Sequence, residues 1–202
     1  MGGTGTQTPE STSRARVKLE DAPRFEALLE AVKRAYRDVE AGKYRLRDLA
    51  LVSTLVFTGC RLGEALRLCA GDVDPRSKTV RIMQEKKRAT HPRVVPVPSK
   101  VFWDIMERYL RRIPGRDDPL FPISERQGRN IVYKFSKRYL GKRIRPHALR
   151  HSYAIFILKS TKDLEVVRRL LGHSDYKWLK VYLDYTQEDL AQELEKAFRE
   201  LE

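Results

Sequence analysis

His147-Ala-Leu-Arg150, Leu171-Gly-His173 and Val181-Tyr182-Leu-Asp-Tyr185 follow one another through the last third of the chain. Well upstream, Thr58-Gly-Cys-Arg61-Leu-Gly-Glu64 sets another arginine just behind a glycine suited to stopping a helix. Two arginines, two histidines and a tyrosine make an inventory suited to attack on a phosphodiester without a metal. The planar guanidinium matches phosphate oxygens with a fork of donors. Histidine donates or shuttles protons near neutral pH. Tyrosine is an oxygen nucleophile able to hold a covalent phosphoryl group. No one of these residues is informative alone; their order and spacing carry the signal. A metal pair at His147 and His151, four apart on one helix face, would need a third protein ligand for zinc. No cysteine or carboxylate stands in such a pattern, so no metal and no cofactor is expected, and His151 reads as structural.

These side chains need elements to position them. Residues 1–16 are rich in Gly, Thr and Ser and read as a lead-in or linker. Phe25, Leu28, Leu29, Val32 and Tyr36 fall at helical spacing, and Leu46–Phe57 reads as a second helix buried on most sides and stopped by Gly59. Arg61–Leu68 follows as a short third helix. The period then changes: Val73, Val80, Ile82 and Val94–Val97 are short β-type runs, split by Asp74-Pro75-Arg-Ser and by Ala89-Thr-His-Pro92. Further helices are expected at Ser99–Arg112, with Ser99 as N-cap, and at about 124–140, 147–159, 163–171, 175–185 and 187–201. The expected fold is mainly α with a small three-stranded antiparallel sheet near the middle.

Composition narrows the partner. Lys plus Arg number 41 against 27 Asp plus Glu, for a net charge of +14. The charge is uneven: Gln187–Glu202 carries a net −4, leaving +18 on residues 1–186. A positive body with an acidic tail implies a polyanionic partner and a last helix that docks elsewhere. That helix bears a stripe of Leu190, Leu194, Ala197, Phe198 and Leu201, fit either for its own domain or for a neighbouring protomer. Two cysteines without a pairing framework point to a reducing setting. No apolar run approaches bilayer length.

The basic residues also cluster. Arg126 to Arg150 contains nine Lys or Arg and no Asp or Glu. On a helical wheel Ile131, Val132, Phe135 and Tyr139 gather on one side, and Arg126, Arg129, Asn130, Lys134 and Lys137 on the other. A helix with an apolar back and a basic front carrying Gln127 and Asn130 suits a groove of double-stranded DNA. A merely solvated face normally mixes signs.

Together these segments resemble the catalytic domain of the tyrosine recombinases, the site-specific integrase group. Thr58-Gly-Cys-Arg-Leu-Gly-Glu64 looks like the motif of the first family arginine, on Arg61. Lys78-Thr-Val-Arg-Ile through Arg93-Val-Val-Pro96 is similar to the hairpin that bears the catalytic lysine. Counting places that lysine on Lys86, with Lys87 as the competitor or a DNA contact, because the hairpin length departs from the usual pattern. Pro146 to Ser152 resembles the His-x-x-Arg box, on His147 and Arg150, and Leu170-Leu-Gly-His-Ser174 the second histidine box, on His173. The nucleophile then falls on Tyr182, nine residues after His173, with Tyr185 a decoy. The context of Tyr182 is closer to archaeal and phage integrases than to a fully regular Xer protein.

The resemblance implies strand cleavage and rejoining through a 3′-phosphotyrosyl intermediate. It also implies a tetramer on DNA, a monomer in solution and a cytoplasmic, nucleoid-associated place of action. It makes residues 17–202 the catalytic domain, without the N-terminal DNA-clamp domain that the family usually adds. A type IB topoisomerase-like nicking and closing enzyme and a non-catalytic DNA-binding regulator are the alternatives.

Overall fold

The computed structural model describes residues 22–83 and 92–172. Its spine is helix α2, Leu46–Thr58, in which every residue from Leu49 to Thr58 is buried. Helix α1, Phe25–Glu40, packs on it through Leu28, Ala31, Val32, Ala35 and Val39. That face is the helical repeat visible in the sequence, although Leu29 and Tyr36 lie at its margin. Each fully buried Leu or Val contributes roughly 1.5–3 kcal/mol relative to exposure, so α2 is the main hydrophobic anchor of the fold. Helix α2 stops where Gly59 turns left-handed, with φ of 61°, and its N–H donates to the Leu55 carbonyl at 3.1 Å. A side chain at Gly59 would also lie 2.3 Å from Tyr153 Cδ1. Only glycine satisfies both demands.

Helix α3 covers Leu62–Leu66, shorter than the expected Arg61–Leu68. It ends early because the chain opens to pair elsewhere: the Leu68 carbonyl accepts from the Leu120 N–H at 2.7 Å, and Cys69 bridges to Pro119. Three strands follow, β1 Val73–Asp74, β2 Thr79–Ile82 and β3 Arg93–Pro96, antiparallel in that order. Asp74 shapes the β1–β2 turn, accepting from the Arg76 N–H at 2.9 Å and the Ser77 hydroxyl at 2.8 Å. Val80 faces Val95 and Ile82 faces Arg93 on the buried side, while Arg81 and Val94 face outward. An arginine therefore occupies a core-facing position of β3.

Helix α4, Lys100–Leu110, is capped by Ser99, whose hydroxyl accepts from the Phe102 N–H at 3.4 Å. Helix α5, Glu125–Leu140, opens with Ser124 and Gln127 capping each other. Helix α6, Pro146–Thr161, begins with proline, whose missing N–H costs nothing in a first turn. Helix α7, Leu164–Leu171, is capped by Asp163 and ends on left-handed Gly172. Helices α6 and α7 share a second apolar cluster of Tyr153, Ala154, Leu158, Val167 and Leu171. The mainly helical fold with a three-stranded antiparallel sheet is the one expected. The helices expected at 175–185 and 187–201 lie outside the described residues, as does the 1–16 lead-in. No helix among the described residues is long and apolar enough to cross a membrane.

Candidate active site

Three element ends converge. The Gly59 turn delivers Arg61 to the N-terminus of α3, and Pro146 starts α6 so that His147 lies in its first turn. Arg61 and His147, far apart in sequence, line one cleft of about 310 Å³ with Gly63, Glu125, Arg129 and Arg145. Three arginines, one imidazole and one carboxylate make this wall strongly electropositive. An anion placed there would also meet the start of α6, where backbone N–H groups and the helix dipole favour negative charge.

Arg150 lies one turn further along α6 and points inward, only 2% exposed. Its guanidinium donates to the Gly59 carbonyl at 2.7 Å and the Leu171 carbonyl at 2.8 Å. It thereby ties the turn that presents Arg61 to the end of α7, two residues before His173 in sequence.

Glu64 completes the Arg61 corner. Its carboxylate accepts from the Arg61 N–H at 2.8 Å and from Arg61 Nη1 at 3.2 Å. The carboxylate is itself buried, and burial alone would raise its pKa. Hydrogen bonds and charge from Arg93, the Arg61 N–H and the Arg150 charge outweigh that, holding the carboxyl below its ordinary value. Arg93 grips Glu64 with both ends of its fork, at 2.7 and 3.2 Å. The neighbouring Cys60 thiol is pushed up to about 11 by burial, which leaves it protonated and unreactive at neutral pH. Tyr153 is likewise pushed up to about 12 by burial, and its ring packs against Gly59 and Phe25. Among the described residues, no group of three His, Cys, Asp or Glu side chains is arranged to hold a metal ion.

The Phage integrase family matches residues 23–189. The chain belongs to the phage integrase family. Tyrosine recombinase XerD of Corynebacterium glutamicum is 34% identical over 156 residues, which are 72% of this chain and 50% of the relative. Tyrosine recombinase XerC of Haemophilus ducreyi is 31% identical over 156 residues, again 72% and 50%. The chain spans about half the length of these curated relatives. The XerA recombinase structure superposes with a TM-score of 0.66 at 22% identity, over 83% of this chain and 63% of that one. XerH bound to a palindromic difH substrate, a post-cleavage complex, gives 0.67 at 23%, over 92% and 55%. At these identities the structures speak for the fold, which is that of this family.

In this phage integrase family member, the expected site residues divide three ways. Arg61 and His147 share the cleft, and Arg150 is buried behind it. Lys86, Lys87, His173 and Tyr182 lie outside the described residues, as does Tyr185. Of the DNA-facing residues expected on α5, Arg126, Arg129, Asn130, Lys134 and Lys137 are all exposed, and Ile131, Val132, Phe135 and Tyr139 are buried behind them. The wheel assigned the two faces correctly. One detail differs: Glu125, just before the carboxylate-free stretch, pairs with Arg129 at 2.6 Å on the cleft wall. Such an exposed pair contributes only about 0–1 kcal/mol, little enough for a phosphate to displace.

Sequence reasoning missed Arg93 and Arg145. The signal for Arg93 was strand alternation: with Val95 inward, Arg93 must also point inward, where a charge requires a partner. The signal for Arg145 was its position directly before the helix-starting proline.

Proposed function

We propose that the chain is the catalytic part of a tyrosine site-specific recombinase, acting on double-stranded DNA by metal-free cleavage and rejoining. The observation that carries this reading is the shared cleft of Arg61 and His147, electropositive and flanked by the exposed basic face of α5. The Xer names of its relatives accord with it. Tyr182 attacks a phosphodiester: its oxygen forms a bond to phosphorus as the bond to the 5′ oxygen breaks. A 3′-phosphotyrosyl link results, retaining the ester for later transfer. Arg61, from the cleft wall, and Arg150, from the buried side, stabilise charge on the nonbridging oxygens. Preorganised donors of this kind typically contribute about 3–4 kcal/mol each. His173 adds a further donor. His147 takes or places the tyrosine proton, because a free phenol with a pKa of about 10 is neutral at pH 7. Lys86 protonates the leaving 5′ oxygen, with Lys87 as its competitor. A hydroxyl from a second cut strand then reverses the step onto a new partner.

In this reading residues 17–202 form the catalytic domain and 1–16 its lead-in. The chain is a monomer in solution and a tetramer on DNA, working on the nucleoid in the cytoplasm. The exposed α5 residues Arg126, Arg129, Asn130, Lys134 and Lys137 hold the duplex.

A nicked suicide substrate built on candidate attachment sites tests the proposal. Wild type should form a covalent protein–DNA band, with or without EDTA. Tyr182→Phe should abolish it, and Tyr185→Phe should leave it. Loss with Tyr185→Phe alone would reassign the nucleophile, and loss in EDTA restored by Mg²⁺ would refute the metal-free chemistry.

A further inference from the structure

We infer that Arg93 is a positioning residue for cleavage: from the inner face of β3 it ties the Arg61–Glu64 corner to the C-terminal end of α7. The inference rests on the recombinase reading and extends it to a residue outside the chemical set named above. Three observations carry it. First, Arg93 is only 8% exposed, in a strand register where an apolar side chain would be ordinary. Second, its fork grips the same Glu64 carboxylate that holds both the backbone and the guanidinium of Arg61. Third, its remaining Nε donates to the Leu170 carbonyl at 3.0 Å, one residue before the carbonyl that Arg150 takes.

Two buried guanidiniums therefore join the same two pieces of chain. Arg150 runs from the Gly59 carbonyl to Leu171, and Arg93 runs from Glu64 to Leu170. Two ties fix a relative orientation that one tie leaves free to pivot. The pivot would move Arg61 against whatever follows α7, and His173 is three residues past Leu170 in sequence. Arg93 also begins β3, directly after the segment that carries Lys86 and Lys87. A lysine at this position would keep the charge but lacks the planar fork needed to hold the carboxylate and the carbonyl together.

Loss of a buried ion pair that served folding alone would lower stability yet leave the rate of each folded, DNA-bound molecule unchanged. The full chain, Arg93→Lys and Arg93→Met are compared for melting temperature, for affinity toward a nicked suicide substrate, and for single-turnover covalent-complex formation at saturating DNA. The rate of Arg93→Met should fall by about 10- to 100-fold, the scale on which small misplacements act, with affinity little changed. Arg93→Lys should recover part of the loss. Acidification should slow Arg93→Met more steeply than wild type. Glu64, still facing Arg61, Arg150 and Cys60 but deprived of Arg93, then takes up a proton more readily. A wild-type saturating rate in Arg93→Met, or a loss fully explained by the unfolded fraction, would overturn the inference. Should Arg93→Met fail to fold, Arg93→Lys decides: a slower rate supports the positioning role and a wild-type rate rejects it. If wild type itself forms no covalent complex, the recombinase reading has failed and this inference falls with it.

Discussion

The outer face of α5 and the buried corner around Glu64 are both rich in arginine, yet the two use it in opposite ways. On α5, Arg126, Arg129, Lys134 and Lys137 stand in solvent over an apolar back. Their charges are screened, and any one of them adds little to stability. Around Glu64, Arg93 and Arg150 are 8% and 2% exposed, and between them they donate to one carboxylate and three carbonyls. Each has exchanged water for fixed partners, so each is costly to disturb. In the recombinase reading, the exposed set meets a diffuse polyanion in many registers. The buried set holds the Gly59 turn and the Arg61–Glu64 corner in one place against the end of α7.

Four variants put that contrast at risk. Glu64→Gln should have the largest effect on stability. It leaves Arg93 buried without a full counter-charge, a defect that typically costs about 3–5 kcal/mol. Its pH dependence has a definite sign. The folded carboxyl titrates below the ordinary value of 4.5, so its contribution is present above that value and is lost as pH falls through the lower folded one. The stability gap between wild type and Glu64→Gln, read from urea melts, should therefore shrink on strong acidification. A gap independent of pH would mean that the carboxylate is not what stabilises the corner. Arg150→Lys comes next. It should lower covalent-complex formation by about 10²–10³-fold and reduce the melting temperature, because one ammonium cannot span both the Gly59 and Leu171 carbonyls. Unchanged cleavage would remove Arg150 from the site.

Gly59→Ala should destabilise by about 1–3 kcal/mol through overpacking alone, given a φ of 61° and a Cβ 2.3 Å from Tyr153. A melting temperature equal to wild type would show that the turn relaxes. The smallest effect on the fold belongs to the triple change of Arg126, Lys134 and Lys137 to alanine, within about 0.5 kcal/mol of wild type. Its signature is instead in binding. The slope of log K against log salt should flatten by about 0.9 for each phosphate that the variant no longer neutralises. An unchanged slope would move the DNA interface off α5.

The same contrast explains what was legible in the sequence. The two faces of α5 follow from a repeat of 3.6 residues, which a wheel displays directly. The strands followed from short β-branched runs between turn signals, and Ser99 announced its helix. Arg61 and His147 were found through their motifs, and the cleft brings them together. The Glu64–Arg93 pair was not legible, because nothing local says that a strand arginine will meet a glutamate twenty-nine positions earlier. Even the alternation that turns Arg93 inward predicts an apolar residue there. The short end of α3 was hidden for the same reason: Leu68 and Cys69 pair with distant partners, Leu120 and Pro119, which no local pattern announces.

In the recombinase reading, the exposed arginines and lysines of α5 serve to bind DNA, while the buried arginines serve to cleave it. The deciding experiment is single-turnover covalent-complex formation, followed against DNA concentration for the α5 triple alanine variant and for Arg150→Lys. The α5 variant should need more DNA but reach the wild-type plateau rate. Arg150→Lys should half-saturate near the wild-type concentration with a plateau lower by about 10²–10³-fold. The reverse, a depressed plateau for the α5 variant and a weakened but fully active Arg150→Lys, would contradict this division of labour.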